Sequence, residues 1–233
     1  MNTAILRFWG HAAFSVETAT TRLLIDPHRP GALGGRFSLP AIVGPFDALV
    51  SSHPHEDHAG WTPALGTRAW IERPSRVGDL SVSFCAAPHD DVAGLRMGLS
   101  RLIRIEGPDF VIVHSGDLGC DDPAAAAFCT DAAVLLIAAG GTYTLAPGAA
   151  AAFARATGAR VVVPMHCADP AVDLPLAPAA DFFAAWAALG APVAALGPRP
   201  QSCITLPPPA SLRGAVALER TGDLHAHLPP SPR

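Results

Sequence analysis

The sequence predicts an α/β fold in one domain. Half of the 233 residues are apolar and only 15% are charged, so the chain can bury a large core. Short apolar segments with the two-residue alternation of strands dominate the first half, and two segments of the second half have helical features. There is no internal repeat or linker, so residues 1–220 are predicted to form the domain. A flexible tail is predicted at 221–233, with His225 and His227 exposed to solvent.

Strands are predicted where short apolar segments end in turn-forming residues. Short strands broken by Gly10 occupy the first 26 residues, and the last of these is the buried segment 23–25. The other predicted strands lie at 48–51, 67–71, 81–86, 99–105, 110–114, 133–137, 160–163 and 203–206. Residues 27–45 contain several Gly and Pro and no sustained period, which indicates a long loop of the kind that is commonly functional.

Two helices are predicted, at 147–157 and 178–189. Each has proline in its first turn and glycine just beyond its end, which are the positions that these residues favour. In the second helix, one face carries the apolar residues Phe182, Ala185, Trp186 and Leu189. This spacing predicts a stripe that packs against the core and is not a binding groove.

Composition excludes several classes of function. The net charge of −4 and the lack of a basic cluster argue against a nucleic-acid partner. All sixteen basic residues are arginine, which excludes a Schiff-base lysine. The N-terminus lacks the features of a signal peptide, and no apolar segment approaches the roughly 18 residues that span a bilayer, so we expect a cytoplasmic protein without a membrane partner. Five scattered cysteines indicate reduced, mostly buried thiols. The oligomeric state is left open, a homo-oligomer included.

The strongest indication of chemistry is a cluster of three histidines and an aspartate within six residues (HPHEDH, 53–58), directly after a predicted strand. Alternate residues of an extended segment point the same way, so His53 and His55 are suited to bind one metal ion. Asp57 and His58 follow where the chain turns and are suited to face a second ion. The alternative is a solvent-exposed histidine-rich loop, but that does not explain why the cluster follows an apolar strand.

A pair of divalent ions needs more ligands than this segment supplies, and they must come from loops at the ends of other strands. Three candidates stand in such places: His89, Asp117 and His166 each follow a predicted strand. Asp117 could bridge the two ions because a carboxylate has two oxygens. A single histidine after a strand is more often an ordinary surface residue, but the recurrence of such residues after successive strands favours a ligand role.

Six motifs, taken in order, resemble the metallo-β-lactamase superfamily, and within it the branch that includes ascorbate-6-phosphate lactonase. They are FWGHAAF at 8–14, LIDP at 24–27, HPHEDH at 53–58, HSGD at 114–117, GGTYT at 140–144 and VPMH at 163–166. The resemblance covers residues 5–206. It implies a four-layer αββα sandwich, with the metal ions at the edge between the two sheets.

The resemblance also implies how seven ligands are divided between two ions: His53, His55 and His89 on one, Asp57, His58 and His166 on the other, and Asp117 shared. Ligands rich in nitrogen and oxygen favour zinc, with manganese and iron as alternatives. Cys167 departs from the pattern of the branch, which more often has tyrosine there. We predict that this thiol is a small space-filling residue, with a group that supports a metal ligand or is redox-sensitive as the alternative.

Further candidates surround these motifs. Asp26 follows a buried strand and is suited to accept the second N–H of a ligating imidazole. His11 and Tyr143, the only tyrosine, are candidate catalytic residues that approach the substrate, with a structural role as the alternative. His28, in the long loop, is predicted to line the entrance to the site, and the role of His114 is left open.

The resulting hypothesis is a metal-dependent hydrolase that acts on a small-molecule ester, lactone or phosphoester. A hydroxide that bridges the two ions is the predicted nucleophile, because such ions lower the pKa of bound water from about 15.7 toward about 7. Asp57 is placed in the catalytic set together with His11 and Tyr143. Three alternatives remain: a phosphodiesterase or nuclease-type hydrolase, an iron-dependent redox enzyme, and a non-catalytic metal-bound protein that binds a metabolite.

Overall fold

A computed structural model describes residues 4–194 and 201–221, and within these ranges the chain forms two β-sheets with helices on one outer face. The first sheet has six strands. In chain order they are β1 (Ala4–Gly10), β2 (Ala13–Glu17), β3 (Arg22–Ile25), β4 (Ala48–Val50), β5 (Trp70–Ile71) and β13 (Cys203–Leu206). Their spatial order is β13-β1-β2-β3-β4-β5, in which β3, β4 and β5 run parallel.

The second sheet has eight strands. They are β6 (Ser75–Val77), β7 (Leu80–Pro88), β8 (Leu99–Glu106), β9 (Val111–His114), β10 (Val134–Ala138), β11 (Val161–Met165), β12 (Val193–Ala194) and β14 (Gly214–Val216). Their spatial order is β12-β14-β11-β10-β9-β8-β7-β6. The central strands β9, β10 and β11 are parallel, and all five residues of β10 are buried, as expected for a strand covered on both faces.

Alternation along the strands divides the apolar residues between two cores. In β10, Leu136 points into the core between the sheets, where it joins Leu23 from the first sheet. Its neighbours Leu135 and Ile137 point to the opposite face, against the helices. Successive side chains of a strand lie on opposite faces, so a continuous apolar sequence is required to serve both cores at once.

Three helices cover the outer face of the second sheet: α2 (Pro123–Phe128), α3 (Pro147–Thr157) and α4 (Ala179–Ala188). The outer face of the first sheet is covered differently. Ile42, Phe46 and Leu65 pack there from the long loop and from a short 3-10 helix (Pro63–Leu65). The long loop also contains one distorted helical turn, α1 (Ala32–Gly35).

The two helices predicted from the sequence are confirmed, α3 with the predicted bounds and α4 to within one residue at each end. The predicted stripe on α4 is correct for Phe182 and Trp186, which are buried. It is wrong for Leu189, which is 46% exposed, because the helix ends at Ala188 and Leu189 is its C-cap.

The sequence missed short elements. Strands β6, β12 and β14 have two or three residues each, too few to show a period. Helix α2 was missed although Asp122 caps it by accepting hydrogen bonds from the N–H groups of Ala124 and Ala125. The strand predicted at 67–71 is limited to Trp70–Ile71. Of the predicted tail, residues 222–233 lie outside the described ranges.

All five cysteines are free, as predicted, but only Cys129 is buried and the other four are of intermediate exposure. The prediction that most of them are buried is therefore wrong. Burial raises the pKa of Cys129 and of Cys167 to about 12, so both are thiols at neutral pH. None of the helices in the described parts of the chain combines the length and hydropathy needed to cross a bilayer.

Candidate metal centre

The loops that follow five strands meet at one edge of the two sheets. Strands β3, β4, β7, β9 and β11 end there and lead into Asp26, the 53–58 segment, His89, Asp117 and His166, respectively. The structure brings together all seven residues predicted as ligands, from positions up to 113 residues apart (166 − 53). The ends of parallel strands lie at the same edge of a sheet, so topology places these loops side by side.

One group consists of His53, His55 and His89, whose ring nitrogens converge within 4.8 Å of one another. Nε2 of His53 lies 2.8 Å from Nδ1 of His55, and Nε2 of His89 lies 3.3 Å from the same atom. Nitrogens bound tetrahedrally to zinc at about 2.0–2.1 Å would be separated by about 3.3 Å. The spacing of this group is close to that value.

A second group consists of Asp57, His58, His166 and His11. Oδ2 of Asp57 lies 3.5 Å from Nε2 of His58 and 3.2 Å from Nε2 of His11. The ring of His11 packs against that of His166 at 4.0 Å between centroids, and the backbone N–H of His166 donates to the His11 carbonyl. His11 therefore supports both Asp57 and His166.

Asp117 lies between the two groups. Its Oδ2 is 3.3 Å from Nε2 of both His58 and His166, 3.4 Å from Nε2 of His89 and 3.9 Å from Nε2 of His53. In the described parts of the chain, its other oxygen, Oδ1, is buried without a hydrogen-bond partner, and so is Nε2 of His58. Unsatisfied buried polar atoms are costly and rare in folded proteins, so their concentration here indicates a group that binds at this point.

Asp26 orients two of the imidazoles from behind. Its carboxylate accepts hydrogen bonds from Nδ1 of His58 (2.7 Å), from the backbone N–H of Ser52 (2.6 Å) and from the Ser52 hydroxyl (2.6 Å). The Ser52 oxygen in turn lies 2.9 Å from Nδ1 of His53. With Nδ1 engaged in this way, Nε2 of both rings faces the centre, which is the arrangement that fixes metal-binding histidines.

Backbone strain is concentrated around the same centre. His11, Asp26, Tyr143 and His166 are not glycines, yet their φ angles lie between 45° and 56°. Such conformations cost about 1–3 kcal/mol each and persist only where the surroundings enforce them. At Tyr143 the backbone carbonyl faces His89, and Nδ1 of His89 lies 3.1 Å from the carbonyl oxygen. The site is therefore held in place by main chain as well as by side chains.

Burial makes most of these imidazoles neutral. It lowers the pKa of His53 and of His11 to about 3, and it also lowers the pKa of His55 and His166. A neutral imidazole keeps a lone pair available for a cation.

His58 behaves in the opposite way. Burial alone would lower its pKa, but the carboxylates of Asp117, Asp57 and Asp26 raise it well above 6.5. The pKa of Asp117 and that of Asp57 are held well below their ordinary range by neighbouring histidines, although burial opposes this. Three carboxylates around one buried ring create a strong preference for positive charge, which a metal cation would satisfy.

A cavity of about 350 Å³ opens onto this centre. His55, Asp57, His89, Asp117 and His166 line one side. The remainder is contributed by loops and is partly apolar, with Leu33, Met97 and Leu176 among its residues. A cavity of this size, which combines a cluster of polar groups with apolar residues, is typical of small-molecule sites.

The second-tier candidates occupy different places. Tyr143 lines the cavity and is 49% exposed. His11 is 2% exposed and lies behind Asp57, outside the lining of the cavity. His28 does not line the entrance, contrary to the prediction, because it is buried and its Nε2 lies 3.2 Å from the Pro40 carbonyl. His114 is structural: its Nε2 donates to the Ala12 carbonyl and its Nδ1 accepts from the Gly116 N–H.

Sequence reasoning missed two serines that connect the site. Besides Ser52, the hydroxyl of Ser100 accepts a hydrogen bond from the Asp117 N–H at 3.1 Å and lies 3.5 Å from Nδ1 of His53. Ser52 is adjacent to the histidine cluster and could have been suspected. Ser100 gives no such signal, because it reaches the site only through the pairing of β8 with its neighbours.

Asp90 organises the loop beside His89. Its carboxylate accepts four backbone hydrogen bonds of 2.7–2.9 Å, from the N–H groups of Val92, Gly94, Arg96 and Met97. Burial alone would raise the pKa of Asp90, but these bonds lower it to about 2. The sequence predicted no role for this residue.

We expect the Asp90 hydrogen bonds to stabilise the fold in a pH-dependent way. Because the pKa is lower in the folded state than its ordinary value of 3.8, the contribution is present above pH 4 and is lost as the pH falls toward about 2. In urea unfolding at pH 6, the free energy of unfolding should be higher for the wild type than for Asp90→Asn. This difference should be smaller at pH 2. Asp91→Asn serves as the control, because Asp91 forms an exposed ion pair with Arg96 and does not cap the loop. A difference of the same size at both pH values would contradict this account.

The chain is similar in sequence to known proteins. The family described as Beta-lactamase superfamily domain matches residues 5–166, which is more than half of the chain. A protein of Caldivirga maquilingensis named UPF0173 metal-dependent hydrolase is 27% identical over 194 residues, covering 69% of this chain and 81% of that protein.

Solved structures share the fold. A proposed Zn-dependent hydrolase of the metallo-β-lactamase superfamily from Thermotoga maritima superposes with a TM-score of 0.70 at 24% identity, covering 93% of this chain and 99% of that one. A metallo hydrolase from Ignicoccus hospitalis superposes with a TM-score of 0.60, also at 24% identity, covering 81% and 92%. The predicted α/β class and metallo-β-lactamase fold are confirmed, whereas the narrower resemblance to the ascorbate-6-phosphate lactonase branch stays a prediction. The chain belongs to the metallo-β-lactamase superfamily, and the relatives that it matches are named metal-dependent hydrolases.

Proposed function

We propose that this protein is a metal-dependent hydrolase that uses two divalent ions to cleave a small-molecule ester, lactone or phosphoester. Zinc is the metal with which we would test it first. One observation carries the proposal. A single buried carboxylate oxygen, Oδ2 of Asp117, lies within 3.9 Å of ring nitrogens of four histidines that come from three different loops. A network of neutral hydrogen bonds alone does not explain why the ring nitrogens of four histidines converge on one carboxylate oxygen.

The division of ligands follows from the two groups of residues. His53, His55 and His89 would hold one ion, and Asp57, His58 and His166 would hold the other, with Asp117 between them. Ions held there would supply Lewis-acid activation of a water molecule and of the substrate. Nitrogen and oxygen ligands suit zinc, and they also accept manganese and iron.

The protein's own side chains orient the reaction. Asp57 lines the cavity as a carboxylate, and the contact with Nε2 of His11 fixes its position. From there it can accept a hydrogen bond from the attacking water and direct it toward the substrate. Tyr143 presents a phenol group to the same cavity, where it can donate a hydrogen bond to a substrate oxygen. His11 acts through Asp57 as a positioning residue.

Removal of the metal provides the direct test. The protein purified with added zinc should contain close to two ions per chain by elemental analysis. Dialysis against a chelator should abolish hydrolysis and lower the melting temperature, because ligand binding to the folded state stabilises it. Readdition of zinc or manganese should restore both. A chain that holds no metal, or whose activity survives chelation, would contradict the proposal.

A substrate panel separates the remaining alternatives. We expect hydrolysis within a set of small lactones and carboxylic esters. Hydrolysis of bis-4-nitrophenyl phosphate alone would favour the phosphodiesterase alternative. Iron in place of zinc, together with oxygen consumption, would favour a redox enzyme. Two bound metals without turnover of any compound would favour a metabolite-binding protein.

A further inference from the structure

The cavity above the metal centre contains one permanently charged cation, Arg36, among its lining residues in the described parts of the chain. The rest of the wall that faces the ligands is uncharged, with Leu33, Met97 and Leu174 on its apolar part and Tyr143 on its polar part. Arg36 is exposed and follows the distorted turn α1, which belongs to the long loop. It therefore shares a solvent-accessible space with Asp57, Asp117 and the histidines.

The guanidinium of Arg36 forms no ion pair or hydrogen bond with the described residues. Arg29 in the same loop differs, because it is paired with Glu56 at 2.6 Å. The loop 27–45 has no acidic residue of its own. The backbone N–H of Asp173 donates to the Arg36 carbonyl, and among the described residues the Asp173 carboxylate forms no ion pair with the guanidinium. Arg36 thus lines the cavity, and none of the described residues occupies the hydrogen-bond donors of its guanidinium.

A free guanidinium in a partly apolar cavity is suited to bind an anion. Its planar donors match the two oxygens of a carboxylate or phosphate, and such charged hydrogen bonds are stronger than neutral ones. Leu33 and Leu174 line the same cavity, so an anion bound there could place an apolar portion against them. A group bound at Arg36 would remain within the same cavity as the metal ligands.

We propose that Arg36 is a specificity-determining residue that binds a carboxylate or phosphate group of the substrate while the scissile bond lies at the metal centre. This proposal rests on the proposed function, since it names the substrate class of that site. It narrows the class to small anionic esters, lactones or phosphoesters with an apolar portion. The metal ions do not replace this role, because they are committed to the bond that is cleaved.

A pair of esters matched in length tests the proposal. Mono-4-nitrophenyl glutarate has a terminal carboxylate where 4-nitrophenyl pentanoate has a methyl group. The zinc-loaded wild type should hydrolyse the anionic ester with the higher kcat/KM. In Arg36→Ala this value should fall by about 10- to 100-fold, mainly through KM, because a charged hydrogen bond is lost. The value for the neutral ester should change by less than about twofold.

Two further variants serve as controls. Arg36→Lys should recover part of the preference, because it restores the charge without the planar pair of donors. Arg155→Ala removes an exposed arginine from α3, away from the cavity, and should behave as the wild type. An equal loss on both esters, no loss on either, or a wild-type preference for the neutral ester would overturn the proposal.

Binding provides a second readout that does not depend on turnover. Isothermal titration of the zinc-loaded protein with glutarate and, separately, with inorganic phosphate should give weaker binding in Arg36→Ala than in the wild type. The probe that binds the wild type more tightly identifies the anion that the site prefers. If neither ester is hydrolysed, the titrations still decide: weaker binding in the variant supports the role of Arg36, and equal binding refutes it. Failure of the proposed function would instead appear as loss of both turnover and bound metal.

Discussion

Asp57→Ala is expected to reduce kcat/KM by at least about 1,000-fold while leaving the fold intact, since metal-assisted hydrolysis depends on several kcal/mol of electrostatic stabilisation. The Asp57 carboxylate contacts His11 and approaches His58, and it is not part of a hydrophobic core cluster. Its loss should therefore remove one ligand and the positioned acceptor without opening a cavity in the core. We expect metal content to fall from two ions to about one.

Kinetics and elemental analysis test this result, with circular dichroism to check the fold. Asp109→Ala is a suitable control, because Asp109 is an exposed aspartate in a turn far from the centre. The control should retain the activity and the metal content of the wild type. An Asp57→Ala protein with full activity would show that the mechanism is wrong.

Asp26→Asn is expected to weaken metal binding by about 10- to 100-fold, the range found when a residue that orients a ligating histidine is replaced. Asparagine has one acceptor oxygen where aspartate has two, and its amide group would face the donors Ser52 and His58. Asp26 is fully buried, so no water can replace the lost acceptor. Both His53, through Ser52, and His58 should lose their fixed orientation.

Competition with a chromogenic chelator measures this affinity, and kinetics at saturating zinc provides a second readout. Saturating zinc should restore much of kcat in Asp26→Asn but not in Asp57→Ala, because Asp26 acts only through other residues. Asp47→Asn is the control, since Asp47 also accepts a backbone hydrogen bond, from Arg22 at 2.7 Å, at the opposite end of strands β3 and β4. Unchanged zinc affinity in Asp26→Asn would refute the positioning role.

Local sequence patterns predicted the elements whose structure depends on residues that are close together in the sequence. Helix α3 has proline at its start and glycine at its end, so both bounds could be predicted. The segment 53–58 carries four potential ligands in sequence, and no knowledge of the fold was needed to recognise it. The short strand β14 could not be predicted, because it is defined by its pairing with β11 and not by its own three residues.

His28 and His114 show why single histidines are harder to interpret. Both lie close to recognised motifs, yet the structure uses each to satisfy backbone groups of distant segments, at Pro40 and Ala12. Their roles depend on which carbonyls come within reach, and that is decided by packing. The Cys167 thiol donates to the Met165 carbonyl, and its role as a space-filling residue stays a prediction.

By itself, the sequence determined the α/β class, the two main helices and the identity of the seven candidate ligands. The class and the helices follow from periodicity and end residues, and the ligands from metal-binding residue types that recur directly after predicted strands. Only the tertiary structure decided that Asp26 orients His58 and, through Ser52, His53. It also decided that His11 lies behind Asp57 and that Arg36 shares a cavity with the metal centre. These relations join segments far apart in the chain, and their distances are fixed only when both sheets have packed around one core.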